Sequence, residues 1–82
     1  METEMKNITR HIGHKIERIR RIKGINQETL AGTLGISRQT LSKIEQSDTV
    51  EEERLNQIAQ ALGVTAEAIK LFDQDAVVIN NN

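Results

Sequence analysis

The apolar residues of this chain recur at helical rather than strand spacing. Ile12, Ile16 and Ile19 stand 4 and 3 residues apart, and Leu55, Ile58, Ala59 and Leu62 repeat such a stripe further on. The pattern predicts five helices. The first covers residues 9–23, with Arg18 and Arg21 pointing away from the isoleucine stripe, and Gly24 ends it. Asn26 caps a second over residues 27–34, with Glu28 near the positive end of its dipole. Ser37 caps a third over residues 38–46. A fourth covers 51–62, its leading glutamates again favoured by the dipole, and Gly63 closes it. Thr65 caps a short fifth that ends near Phe72, with Ile69 and Phe72 turned to the core.

The second and third helices are separated only by Gly35, Ile36 and the capping Ser37. Helices joined so tightly cannot lie antiparallel. They must cross steeply, in helix-turn-helix geometry. The expected fold class is therefore all-α, a compact five-helix domain over residues 9–72. A flexible segment, 1–8, is expected before it and a tail, 73–82, after it. The tail sequence DQDAVVINNN has no helical pattern, and its AVVI reads as a strand, a dimer contact or disorder. The ending is also compatible with a truncated chain.

Composition narrows the class. The 82 residues make at most one domain. Proline is absent, Phe72 is the single aromatic, and strong helix formers dominate, which argues against a sandwich or barrel. There is no cysteine, so neither disulfides nor thiolate metal sites are available, and a reducing cytoplasm is the expected location. The start METEMKNITRHIG lacks the apolar stretch of a signal peptide, and no run is long enough to span a bilayer.

Charge changes the picture more. The net is −1, but residues 1–43 carry nine Lys and Arg against four acids, a net of +5. Residues 44–82 carry two against eight, a net of −6. A polyanion responds to the field of one face and not to the average. Charge blocks on small helical proteins are also commonly just solvated faces, so the split alone decides nothing.

A denser pattern runs from Gln27 to Gln46. In that 20-residue unit Leu30, Leu34, Ile36, Leu41 and Ile44 fall at positions 4, 8, 10, 15 and 18. These side chains fill the wedge between the two crossing helices. Ala31 is small where the helices approach closest, and Gly35 accepts the positive φ of the turn. With Leu41 and Ile44 inward, Gln39, Ser42, Lys43 and Gln46 face out, and Arg38 sits on the exposed first turn. Arginine can bind guanine bidentately and glutamine can do so for adenine. Glu45 lies near the core edge, where an unpaired carboxylate is costly, so an arginine partner is expected.

These residues resemble the Xre-type helix-turn-helix family, the five-helix domain of lambdoid phage repressor and Cro proteins. The resemblance covers about residues 12–72 and is carried by IGHKIERIRRIKGINQETLAGTLGISRQTLSKIEQ and LNQIAQALGV. In that family the second helix of the motif enters the major groove with its N-terminal residues on base edges. The resemblance implies base reading by Ser37, Arg38, Gln39 and Lys43, and phosphate or supporting roles for Gln27, Thr40 and Ser42. It implies that Gln27 also offers a brace for Gln39, and that Arg20 and Glu45 pair to tie the first helix to the third. Ser47 stands where the family often has glycine, Val50 where many members have proline, and the loop between is about one residue shorter. Asp48, Glu51, Glu52 and Glu53 would repel phosphates there, which implies weaker, more salt-sensitive binding.

Other chemistry is absent or a decoy. HIGH at 11–14 spells a signature of nucleotide-activating synthetases, which need a far larger α/β fold. His11 and His14 stand at i, i+3, which could share a metal, but two such histidines are more often surface residues, so no metal site is expected. No nucleophile–base set or phosphate loop exists, and neither an enzyme nor a cofactor is expected. The expected function is a transcriptional regulator, a repressor, binding a palindromic DNA operator as a homodimer. Two alternatives stand beside it: the antitoxin of a toxin–antitoxin pair, and a protein-interaction module that keeps the fold without reading DNA.

Overall fold

The computed structural model describes residues 11–72, and among these it contains five α-helices and no strand. They are α1 Ile12–Ile22, α2 Gln27–Leu34, α3 Arg38–Glu45, α4 Glu52–Leu62 and α5 Ala66–Leu71. The flanking segments, and with them the AVVI run, lie outside the described residues.

Local chemistry explains most boundaries. The side chains of Asn26, Ser37 and Thr65 accept the backbone N–H of Thr29, Thr40 and Ala68, satisfying amides that the first helical turn leaves without a partner. Gly35 ends α2 at φ 74°, and the Ile36 N–H then donates to the Ala31 carbonyl, which aims the chain directly into α3. Gln46 caps α3 rather than continuing it, and Glu51 occupies the cap of α4 with Glu52 and Glu53 in its first turn.

The start of α1 differs from the expectation. His11 adopts φ 61°, the left-handed region, so the helix begins at Ile12 and not near residue 9. The N–H groups of Ile12 and Gly13 donate to the carbonyls of Asp48 and Ser47, at 3.0 Å each. Carbonyls from the loop after α3 thus replace those that a longer helix would have supplied.

The core comprises Ile12, Ile16 and Ile19 of α1, Leu30 and Ala31 of α2, Leu41 of α3, Leu55, Ile58, Ala59 and Leu62 of α4, and Ile69 of α5. Leu34, Ile36, Ile44 and Phe72 pack against it half-buried. Of the five wedge residues, then, only Leu30 and Leu41 are sealed from water. α1 packs on α3, α4 and α5, and α2 on α3 and α4, so the helix-turn-helix pair is backed from both sides. Arg18 departs from its expected outward position. It is half-buried, and its Nε is dry and without a hydrogen-bond partner.

Candidate nucleic-acid interface

α3 carries two kinds of residue. Leu41 is fully buried and Glu45 is 6% exposed, and these anchor the helix. Arg38, Gln39 and Lys43 are exposed, and among the described residues none of their side chains is hydrogen-bonded or ion-paired. Thr40 is exposed as well, Ser42 is half-buried, and the Gln46 amide donates to the Ser42 hydroxyl at 3.4 Å. Ser37 is occupied: its Oγ accepts the Thr40 N–H at 3.1 Å and donates to Thr40 Oγ1 at 2.9 Å.

The inner anchor is a polar network. Arg20 Nε donates to Glu45 Oε2 at 2.7 Å and its second amino group to Oε1 at 3.2 Å, a bidentate pair with both side chains almost fully buried. The remaining Arg20 nitrogen donates to the Ile25 carbonyl at 2.8 Å, tying the pair to the turn before α2. Gln27 Nε2 donates to Glu45 Oε1 at 2.9 Å. The amide donor of Gln27 is therefore directed to Glu45, where the resemblance implied a brace for Gln39. Arg20 from α1, Gln27 from the first turn of α2 and Glu45 from the last turn of α3 meet at one point. A carboxylate so nearly dry is tolerable only because its lone pairs are taken.

Ala31 is 2% exposed, beside the turn that Gly35 makes. Gly13 was not singled out from the sequence, and of the described glycines it alone has no room for a Cβ. A Cβ there would run into the Ile44 carbonyl oxygen and stand 2.7 Å from that of Ser47. The first turn of α1 thus lies directly on the end of α3. The available signal was a glycine inside an otherwise helical stripe, the third position of the tetrapeptide HIGH.

Glu52, at the head of α4, is paired with a lysine, and two histidines stand beside carboxylates. His11 Nδ1 lies 3.3 Å from Asp48 Oδ1, His14 lies 3.6 Å from Glu17, and Lys70 Nζ lies 3.0 Å from Glu52 Oε2. Glu51 and Glu53 are exposed at the start of α4. Among the described residues no three His, Cys, Asp or Glu side chains are grouped to hold a metal ion. No helix among them is long and apolar enough to cross a membrane.

Residues 13–74 match the family described as helix-turn-helix domain. The chain belongs to that family. The match spans α2 to α5 and all of α1 but its first residue, and is consistent with the Xre-like kind. Membership points to a DNA-binding regulator in general terms, in a family that is typically non-enzymatic. No curated protein matches this helix-turn-helix domain.

Proposed function

We propose that this helix-turn-helix domain is a sequence-specific transcriptional regulator, a repressor, that lays α3 in the major groove of a palindromic operator. The observation that carries the reading is the division of labour on α3. Its inward residues are locked by packing and by the Arg20–Glu45–Gln27 network, while Arg38, Gln39 and Lys43 project with no side-chain partner among the described residues. A pre-positioned arginine, glutamine and lysine on one short exposed helix suit base edges. One such domain spans few bases, so it binds as a homodimer on half-sites about 34 Å apart.

Selection from a random duplex pool tests this, with the wild-type chain beside the Arg38→Ala, Gln39→Ala double variant. A two-fold symmetric site enriched by the wild type and lost by the variant is the expected result. No enrichment by a folded wild-type chain would reject it. The exposed acids at the head of α4 favour the second reading, a protein-interaction module, which predicts duplex binding that is weak at every sequence.

A further inference from the structure

Gln27 occupies an unusual position in the geometry of the motif. α2 and α3 are joined at the Gly35 turn, so they form a V whose open ends are the first residue of α2 and the last residue of α3. Those residues are Gln27 and Glu45, and the 2.9 Å hydrogen bond between them closes the V. The amide orientation is not arbitrary. Glu45 is paired with Arg20 through both oxygens and is therefore an acceptor, so the Gln27 group that meets it must be the NH2 donor.

We infer that Gln27 is a positioning residue, a strut that fixes the opening angle of the helix-turn-helix and with it how far along α3 the bases are met. This rests on the proposed DNA-reading role and assigns Gln27 a task other than holding a phosphate. The lever is simple. Each of the two helices has 8 residues, an arm of about 12 Å at 1.5 Å per residue. An opening of about 1 Å at the strut turns α3 by roughly 5° about the Gly35 end. Arg38, next to the hinge, barely moves. Lys43, five residues further out, moves by most of the displacement, about 0.7 Å. Arg20 ties Glu45 to α1 and to the Ile25 carbonyl, one residue before the Asn26 cap, so it shares the load at the open end; Gln27 is the tie that reaches α2 itself.

The strut therefore predicts a graded signature that a phosphate contact cannot produce. Losing a phosphate contact weakens all sequences alike and lowers the salt slope by about 0.9. Losing the strut relaxes base preference most at the position read by Lys43 and least at that read by Arg38, with the salt slope unchanged.

The test uses the full chain and the site selected above, with Gln27→Met, which keeps the shape and removes the donor, and Gln27→Lys, which restores a donor to Glu45. The expected result for Gln27→Met is discrimination reduced roughly tenfold at the Lys43 position and under about twofold at the Arg38 position, recovered in Gln27→Lys. A uniform loss with a shallower salt slope would overturn the strut while leaving the DNA-reading proposal intact. If the wild type selects no site, the DNA-reading proposal fails instead. The strut itself is then judged without DNA, by side-chain amide exchange in the free protein. Slowed exchange of the Gln27 NH2 supports it, and exchange as fast as that of the exposed Gln57 overturns it.

Discussion

Glu45→Ala attacks the point where three helices meet. It removes the acceptor for two Arg20 nitrogens and for Gln27 Nε2 at once, in a site where Arg20 and Glu45 are each 6% exposed. Breaking a buried pair by deleting one partner costs about 3–5 kcal/mol, because the remaining charge stays buried without its counterion. A chain of 82 residues has a total stability of about 4–12 kcal/mol. The substitution therefore removes at least a quarter of the stability and can remove all of it. At roughly 4–8 °C per kcal/mol for a domain of this size, the melting temperature falls by about 12–40 °C. Thermal unfolding followed by circular dichroism measures this directly. The paired replacement Arg20→Met, Glu45→Leu provides the control: it removes both charges and refills the space, so it should melt close to the wild type. Glu45→Ala melting within about 2 °C of the wild type would refute the account, as would a double variant no better than the single one.

Three further outcomes are expected. Arg38→Ala should lose about 1–3 kcal/mol of DNA binding and relax the preference at one base position, with an unchanged melt; a uniform loss across sequences would move Arg38 to the backbone. Gly13→Ala should destabilise by about 1–3 kcal/mol in urea titration, since the added methyl meets backbone that cannot rotate aside; a neutral result would show that α1 shifts freely on α3. Replacing Glu51 and Glu53 by glutamine should tighten duplex binding a few-fold at low ionic strength, an advantage that vanishes near 1 M salt, where the Debye length is about 3 Å. No change at low salt would place the head of α4 far from any phosphate.

The helices and their caps were legible because they follow from local chemistry. Asn26, Ser37 and Thr65 are short polar acceptors placed three residues before the amide they satisfy, and that relation can be read along the chain. The wedge of Leu30 and Leu41 was legible for the same reason, through helical period and the tight Gly35 turn. What escaped depends on contacts between distant segments. The start of α1 is set by carbonyls at 47 and 48, and nothing near His11 announces them. Gly13 looked like part of an accidental tetrapeptide because the backbone that forbids a side chain there comes from the end of α3. Arg18 falls off the isoleucine stripe and so reads as outward-pointing, yet it is half-buried. Gln27 could be assigned a place but not a partner, since its donor reaches 18 residues along the chain.

The helices are also short. The longest described ones have 11 residues and α3 has 8, below the roughly 12–15 that a helix needs to be even marginal alone in water. A synthetic peptide copying residues 37–46 would therefore be mostly coil, with its arginine, glutamine and lysine in no fixed relation. The reading surface is on loan from the whole domain, and any ligand that grips it must raise the melting temperature of segments it never touches.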